Sequence, residues 1–403
     1  MSINFEQLAN KYQTPYYVYD FDHITAQYNE LKSTFKARKS LVSYAVKANS
    51  NLSVIKHLGD LGAGADCVSI GEVKRALKVG IAPYKIIFSG VGKTDIEIKE
   101  ALEFNILMIN CESEAELLRV EQIAKELDKE ARISIRVNPN VNPNTHPYIS
   151  TGLHENKFGV DLDTAKRMYI KAKKSEYLDP IGIHCHIGSQ LTDLAPIKEA
   201  VEITANLVKN LSAALKIELK FFDVGGGLGI VYDDEKLIDT YEYGQAILES
   251  LFGLDITVVC EPGRFIVGNS GTFITKVLYE KINGDKRFVI VDGAMNDLLR
   301  PALYNAYHKV EVLGKTEDVS ECNVVGPVCE SGDFFAKNIK LPQTNHNDLI
   351  AINSAGAYGF TMASNYNTRP KVAEIAYENG EYRLIRKRET FEELIAHEEE
   401  FLK

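Results

Sequence analysis

Leu41-Val42-Ser43-Tyr44-Ala45-Val46 is a short apolar run that ends directly at a lysine, Lys47, and it is the first of eight such runs along the chain. Each run is followed by a polar loop and then by a stretch with helical periodicity. The other seven runs begin at Ala65, Lys85, Ile106, Arg132, Ile181, Lys220 and Asp255. Parallel strands that are buried on both faces have nearly continuous apolar sequences of this kind. The repeated alternation therefore predicts a closed (β/α)8 TIM barrel, with a doubly wound open sheet as the alternative.

The pattern changes after about Arg264, where helical periodicity weakens and short β-like segments recur. These segments are residues 272–281, 287–291, 310–313, 322–328, 349–352 and 382–388. Several short strands separated by turns are typical of a β sandwich or an open β barrel. A further β-like run, Tyr16-Tyr17-Val18-Tyr19, precedes the first barrel helix. We therefore expect a barrel domain over residues 21–268 and a mostly β domain formed by residues 1–20 and 269–403.

The composition argues against several classes of protein. The 403 residues carry a net charge of −10 with acidic and basic residues interspersed, which disfavours nucleic acid as a partner. We find no apolar run long enough for a membrane span and no signal-peptide pattern at the N-terminus. The six cysteines are scattered without a CxxC pair, as expected for reduced thiols. These features predict a cytoplasmic protein without structural disulfides.

Polar residues and glycines follow the apolar runs, where a TIM barrel places its functional groups. They include Lys47, Asp66, Ser89, Asn110, Arg136, His186, Gly225 to Gly227 and Glu261 to Arg264. A structural role can explain any one of these residues, but it explains the whole set poorly. The series therefore predicts an active site at the C-terminal ends of the barrel strands.

Three of these features indicate particular chemistry. Lys47 either extends to solvent or offers a partly buried amine that can attack an aldehyde. The glycines after the seventh run fit a phosphate-binding loop, since their backbone N–H groups can approach an anion closely. Glu261 and Arg264 form either a local ion pair or a functional pair. In the second case the carboxylate faces a heteroaromatic ring nitrogen and the guanidinium binds a phosphate or carboxylate.

His184 and His186 alternate along a predicted strand, so their side chains point to opposite sides. Joint metal ligation is therefore not expected, and we predict no metal site. One of the two histidines is expected to pack inside the barrel. His186, which precedes Gly188-Ser189, is the better candidate to stack on a flat cofactor.

Five motifs occur in order: Tyr44-Ala-Val-Lys-Ala-Asn49, Gly64-Ala-Asp-Cys-Val-Ser69, His184-Cys-His-Ile-Gly-Ser-Gln190, Asp223-Val-Gly-Gly-Gly-Leu-Gly229 and Cys260-Glu-Pro-Gly-Arg264. They resemble the pyridoxal phosphate (PLP)-dependent decarboxylases of fold type III, which act on ornithine, arginine or diaminopimelate and share an alanine racemase-like fold. Residues 296–304, 326–331 and 356–358 are similar to the diaminopimelate branch of that family. The resemblance extends from about residue 12 to about residue 375.

The resemblance implies PLP as cofactor and a role for each matching residue. Lys47 would carry the cofactor with Asp66 beside it, His186 would stack on the ring, and Glu261 would pair with the ring nitrogen. The cofactor phosphate would be surrounded by Ser189, Gly226, Gly227, Gly263, Arg264 and Tyr358. The substrate would be bound by Arg264, Arg300, Tyr304, Glu330 and Tyr358, with Cys329 as the general acid. Cys329 and Glu330 would come from the second subunit of a homodimer, in which the β-rich domain completes the active site and the dimer interface.

The expected reaction is decarboxylation of a small α-amino acid. Arg264 and Arg300 offer guanidinium groups for a distal carboxylate, and Glu330 offers a partner for an ammonium group. This favours meso-2,6-diaminopimelate as substrate and L-lysine as product. Carboxynorspermidine or arginine is the alternative substrate, and an amino-acid racemase or a non-catalytic PLP-binding regulator is the alternative class. A polar stretch over residues 142–156 is a hypothetical active-site lid.

Overall fold

The computed structural model describes residues 3–142, 157–317 and 319–402. The chain divides into two compact units. The barrel unit comprises Thr25–Ile230 and Lys236–Ile266. The β unit comprises Met1–Ile24, Val231–Glu235 and Val267–Lys403.

Eight parallel strands of the described residues close into a barrel, in the order in which they occur along the chain. Helix α1 (Phe5–Tyr12), strand β1 (Tyr16–Asp20) and helix α2 (Phe21–Thr34) precede them. The barrel strands are β2 (Ser40–Ala45), β3 (Gly64–Cys67), β4 (Ile86–Phe88), β5 (Met108–Cys111), β6 (Ala131–Val137), β7 (Leu178–Cys185), β8 (Phe221–Asp223) and β9 (Thr257–Cys260). Strand β2 pairs with β9 through Leu41↔Val259 and Val42↔Cys260, and this pairing closes the barrel.

Helices alternate with the barrel strands. They are α3 (Leu52–Asp60), α4 (Ile70–Lys78), α5 (Asp95–Glu103), α6 (Glu114–Glu126), α7 (Leu162–Lys174), α8 (Leu194–Leu215) and α9 (Thr240–Ser250). Their first turns are capped by short polar side chains that accept hydrogen bonds from free backbone N–H groups, as Ser69 does for α4 and Ser113 for α6. The sequence thus marks where each strand-to-helix loop ends.

The predicted fold class is confirmed. Each of the eight apolar runs overlaps a barrel strand, with boundaries that agree within three residues. The alternative, a doubly wound open sheet, is wrong because β2 and β9 pair with each other. Both faces of the strands are covered, and β3, β4 and β5 consist of buried residues alone. That burial explains their continuous apolar sequence.

The β unit contains a nine-stranded sheet in the described residues. After the short helix α10 (Arg264–Val267), its strands are β10 (Gly271–Asn283), β11 (Lys286–Val291), β12 (Val310–Val312), β13 (Ser320–Val325), β14 (Phe334–Leu341), β15 (Leu349–Ile352), β16 (Ala373–Glu378) and β17 (Glu381–Arg386). Helix α11 (Arg300–Tyr304) follows β11, and α12 (Phe391–Glu399) follows β17. The main strand order is β14-β13-β11-β10-β1-β16-β17, and β15 pairs with β10 and β12.

Strand β1 lies inside this sheet, where it pairs with β10 in antiparallel and with β16 in parallel orientation. It is the β-like run expected from Tyr16 to Tyr19, and its first four residues are buried. Strands β14 and β16 were not expected. Glu374 interrupts the apolar pattern of β16, but it is buried and accepts a hydrogen bond of 2.7 Å from the Tyr19 hydroxyl. Strand β14 ends the strand order, and its two lysines, Lys337 and Lys340, are exposed, as is common at a sheet edge.

None of the helices in the described ranges combines the length and the hydropathy needed to cross a membrane.

Gly244 provides a test of the packing of the helices around the barrel. It lies in α9, and a Cβ atom at this position would overlap the side chain of Thr34 at the end of α2. We expect Gly244→Ala to lower the free energy of unfolding by about 1–3 kcal/mol, because overpacking displaces two closely packed helices. Urea unfolding measures this effect. Gly92→Ala is the control, since no heavy atom of the described residues lies within 4 Å of its added Cβ. Equal midpoints for the two variants would contradict the prediction.

Candidate active site

Lys47 and Asp66 meet at the C-terminal ends of adjacent barrel strands. Lys47 lies in a short 3-10 turn directly after β2, and Asp66 lies in β3. The lysine Nζ donates a hydrogen bond of 3.1 Å to Oδ2 of Asp66. The lysine side chain is 42% exposed and the aspartate side chain is fully buried. A buried carboxylate therefore holds the amine, while the lysine side chain remains partly exposed to solvent.

Glu261 follows β9 and forms the centre of a second cluster. Its Oε2 lies 3.3 Å from Nε2 of His184, and both side chains are buried. His184 and Asp223 are direct register partners on β7 and β8. One side-chain ligand atom from each of the three residues lies within 4.8 Å of the others. These three neighbouring strands thus direct an imidazole and two carboxylates to one point.

The two carboxylates of this cluster differ in their affinity for a proton. Burial, together with the charge of Glu261, raises the pKa of Asp223 well above its usual value. Burial alone would raise the pKa of Glu261 as well, but the neighbouring His184 and Lys47 and a hydrogen bond with Asp223 hold it well below its usual value. A hydrogen bond between two carboxyl groups needs one proton, and these opposite shifts make Asp223 the group expected to hold it beside an ionised Glu261.

Asp223 also connects this cluster to the glycine loop. Its Oδ1 accepts a hydrogen bond of 2.9 Å from the Gly225 N–H. A Cβ atom at Gly226 would overlap the carbonyl oxygen of Glu261, so the loop packs directly on the end of β9. Gly227 has a φ of 111°, a conformation that is strained for any residue with a side chain. The glycines are therefore required for the loop to pass this close to the strand ends.

His186 lies next to the same loop. Its Nδ1 accepts a hydrogen bond of 3.3 Å from the Gly226 N–H. Burial and the positive charges of Arg136 and Lys47 lower the pKa of His186 well below its usual value. The ring is therefore neutral at physiological pH, and a neutral ring can stack on another flat ring without a charge penalty.

Ser189 and Arg264 also come together, from the loop after β7 and the first turn of α10. Arg264 Nη2 donates a hydrogen bond of 3.1 Å to the Ser189 hydroxyl, and the arginine is buried. Gly263 beside it packs on the turn that carries Lys47, because a Cβ at Gly263 would lie 2.9 Å from the Ala48 Cβ. All the candidate residues of the barrel unit thus lie where the strands end.

The remaining candidates lie in the β unit. Arg300 begins α11 and is buried, and Tyr304 ends the same helix and is partly buried. Cys329 and Glu330 are exposed on a turn after β13. Asp333 holds this turn by accepting a hydrogen bond of 2.7 Å from the Val328 N–H.

Tyr358 has a φ of 57°, which is uncommon for a residue other than glycine. Such strained positions cluster at functional sites, where the surrounding structure maintains them.

Sequence reasoning assigned no role in the site to His184, Asp223, Tyr232 or His308. Of the two alternating histidines, only one was expected to serve the cofactor, and His186 was the better candidate. Its contact with Glu261 depends on the closure of the barrel, which brings β7, β8 and β9 together. Tyr232 and His308 contact Arg300, and no local sequence pattern indicates this contact.

Known proteins are similar to this chain along its whole length. Residues 21–268 match the family model described as pyridoxal-dependent decarboxylase, pyridoxal binding domain. A diaminopimelate decarboxylase from Campylobacter jejuni is 59% identical over 402 residues, covering 100% of both chains. The crystal structure of the Helicobacter pylori diaminopimelate decarboxylase complexed with L-lysine is similar at 56% identity, with a TM-score of 0.96 and coverage of 99% of this chain and 100% of that one. The crystal structure of diaminopimelate decarboxylase from m. jannaschii in co-complex with L-lysine is similar at 37% identity, with a TM-score of 0.93 and coverage of 98% of this chain and 94% of that one.

The barrel, the lysine at the end of β2 and these matches define a pyridoxal-dependent decarboxylase of fold type III. Within that class, the chain belongs to the diaminopimelate decarboxylase family. The hypothetical lid over residues 142–156 falls almost entirely outside the described residues.

The proton on Asp223 can be tested in the apoprotein. In Asp223→Asn the amide can still donate to Glu261 and accept from the Gly225 N–H. The raised pKa of Asp223 means that the folded wild type keeps a proton which the unfolded chain releases above about pH 4. Wild-type stability therefore falls relative to the variant as the pH rises.

We expect the free energy of unfolding of Asp223→Asn minus that of wild type to increase by at least about 1 kcal/mol between about pH 5 and about pH 8. Urea titrations of both apoproteins at the two pH values measure this difference. If the difference stays constant, Asp223 is ionised in the folded protein and the assignment of the proton is wrong.

Proposed function

We propose that this chain decarboxylates meso-2,6-diaminopimelate to L-lysine and CO2, with PLP bound at Lys47. The observation that carries the proposal is that two groups lie at the C-terminal ends of the same barrel's strands. One is the accessible amine of Lys47, which contacts the buried Asp66. The other is an ionised Glu261, which contacts His184. The match to diaminopimelate decarboxylases along the full chain supports the substrate. This reaction is the last step of lysine biosynthesis.

The residues present fit PLP. Glu261 has a buried oxygen, Oε1, without a hydrogen-bond partner among the described residues, and this oxygen can accept a bond from a protonated ring nitrogen. Gly226 and Gly227 form a loop without side chains, and Ser189 and Arg264 supply further donors for a phosphate. Lys47 supplies the amine that attaches the aldehyde carbon.

When bound, PLP supplies an electron-accepting ring that stabilises the negative charge left on the α-carbon by the loss of CO2. The protein has to keep that ring protonated, and an ionised Glu261 does so because a nearby negative charge favours the protonated nitrogen. Asp223 holds its own proton and so adds no second charge beside Glu261. The neutral ring of His186 would pack against the flat ring of the cofactor.

The β unit supplies the groups for substrate and proton transfer in this proposal. Arg300, with Arg264, binds the distal carboxylate, and Tyr304 and Tyr358 contact the substrate. Glu330 binds the distal ammonium group. The Cys329 thiol donates the proton to the α-carbon after CO2 has left. A substrate with both a distal carboxylate and a distal ammonium offers a partner to each of these groups. Ornithine has no distal carboxylate and so provides no anion for the Arg300 guanidinium.

We further propose a homodimer in which Cys329 and Glu330 serve the active site of the partner subunit. Both residues are exposed in the single chain, on a turn held by Asp333. Exposure is required of a group that has to enter another copy. All six cysteines are free, which supports action in a reducing compartment such as the cytoplasm.

A substrate panel tests the proposed reaction. The purified chain with added PLP is assayed for CO2 and the product amine, using meso-diaminopimelate, ornithine, arginine and carboxynorspermidine. We expect turnover of meso-diaminopimelate with formation of L-lysine. Turnover of another amine, or cofactor binding without any turnover, would overturn the proposed substrate. Loss of the cofactor's visible absorption in Lys47→Ala tests the attachment residue independently of activity.

Arg300→Ala tests the binding of the distal carboxylate. We expect the loss in kcat/KM for meso-diaminopimelate to correspond to roughly 3 kcal/mol or more, because the carboxylate would be desolvated without its cation. Steady-state kinetics measure the loss. Arg119→Ala is the control, since this arginine is exposed and bonds Asp95 in the barrel unit, and we expect its kcat/KM within about twofold of wild type. An effect below about tenfold for Arg300→Ala would remove this residue from the substrate site.

Mixing two inactive variants tests whether subunits share their active sites. Lys47→Ala lacks the cofactor amine, and Cys329→Ala lacks the proposed acid. If each site combines Lys47 of one chain with Cys329 of the other, half of randomly mixed dimers are heterodimers, and each of these contains one intact site. We therefore expect about one quarter of wild-type activity after co-expression or refolding of the mixture. If both residues come from the same chain, each intact site requires an unmodified subunit, and the mixture stays inactive.

A further inference from the structure

Arg300 is held by two neighbours that the proposed reaction does not itself require. Nη1 of Arg300 lies 2.9 Å from Nε2 of His308, and both residues are buried. The guanidinium carbon lies 4.8 Å from the centre of the Tyr232 ring. The rings of Tyr232 and His308 meet edge to face at 5.5 Å. These contacts restrain both an edge and a face of the guanidinium.

The hydrogen bonds determine the tautomer of His308. Its Nδ1 lies 2.8 Å from the backbone oxygen of Asn353. A carbonyl oxygen only accepts, so Nδ1 carries the hydrogen. A guanidinium only donates, so Nε2 presents a lone pair to Arg300. His308 is therefore a neutral imidazole that connects Arg300 to the backbone at the end of β15.

A neutral acceptor suits a residue that has to bind an anion. A carboxylate in place of His308 would form an ion pair with Arg300 and compete with the carboxylate of a substrate. Glu311, which accepts a hydrogen bond of 2.7 Å from the Asn353 side chain, is engaged by Lys309 at 2.6 Å. The contact with His308 therefore fixes the direction of the guanidinium without adding a negative charge to it.

We propose that His308 is a positioning residue for substrate specificity, which orients Arg300 toward the distal carboxylate through the contact between its Nε2 and Nη1 of Arg300. The inference rests on the proposed function, because it assumes that Arg300 binds that carboxylate. In this role His308 acts through Arg300. Its effect is therefore expected on the binding of molecules that carry the distal carboxylate, which include both the substrate and L-lysine.

Two variants of His308 test the contacts of its two ring nitrogens separately. In His308→Gln the side-chain oxygen can take the place of Nε2 and accept from Arg300. In His308→Asn the shorter amide can replace the Nδ1 contact with Asn353, but it cannot reach Arg300. A role in folding alone would make both variants similarly defective. His346→Asn is the control, because this exposed histidine bonds the Leu278 backbone oxygen elsewhere in the β unit.

The readouts are KM and kcat for meso-diaminopimelate, the inhibition constant of L-lysine, and the affinity for PLP. We expect His308→Asn to raise KM and the L-lysine inhibition constant together by about tenfold or more, as for the loss of one hydrogen bond to a charged group. We expect kcat within about threefold and PLP affinity within about twofold of wild type, and His308→Gln to restore both binding constants to within about threefold of wild type.

Unchanged binding constants in His308→Asn, or equal defects in the Asn and Gln variants, would overturn the inference. Reduced PLP affinity in step with KM would do the same, because it would indicate a general structural effect. Failure of the proposed function is distinguishable, since it is seen in the wild type as an absence of meso-diaminopimelate turnover before any variant is compared.

Discussion

The pairing of the first and last barrel strands is the contact on which the site depends. Strands β2 and β9 are more than two hundred residues apart in sequence, yet Leu41 pairs with Val259 and Val42 with Cys260. Directly beyond this pairing, the Ala45 N–H donates a hydrogen bond of 3.1 Å to the Pro262 carbonyl oxygen. Closure therefore brings the turn that carries Lys47 against the turn that follows Glu261. Without it, the amine and the carboxylate would lie at opposite edges of an open sheet.

Closure also creates an electrostatic problem, since it gathers Asp66, Asp223 and Glu261 where little water can reach them. Three ionised carboxylates in such a place would repel each other and lose their hydration. Two arrangements reduce this repulsion: Lys47 pairs with Asp66, and Asp223 and Glu261 differ in their affinity for a proton. Burial and the charge of Glu261 raise the pKa of Asp223 well above its usual value, while His184 and Lys47 keep that of Glu261 low, so Glu261 is the carboxylate expected to face a positively charged ring nitrogen.

The sequence predicted the barrel well because each buried strand carries its own local pattern, an apolar run followed by a capped helix. The same rule located Lys47, the glycine loop and Glu261, since each directly follows such a run. It could not indicate that His184 reaches Glu261, because alternation along one strand says nothing about the neighbouring strand. Strand β16 was missed for a related reason: Glu374 looks like a surface residue until the distant Tyr19 hydroxyl is placed against it. Contacts of this kind depend on the tertiary structure and have no local signal.

For the arginines of the proposed substrate site, a contact can set the direction of the guanidinium without neutralising its charge. Arg264 donates to the Ser189 hydroxyl, and Arg300 donates to the imidazole of His308. Both acceptors are neutral, so each contact orients a guanidinium without cancelling its charge. By contrast, Arg136 donates to the buried Glu112 carboxylate at 3.1 Å, so this contact at the end of β6 joins opposite charges. The charge of the acceptor thus distinguishes Arg136 from the two arginines proposed to bind an anion, and this difference depends on tertiary contacts that have no local sequence signal.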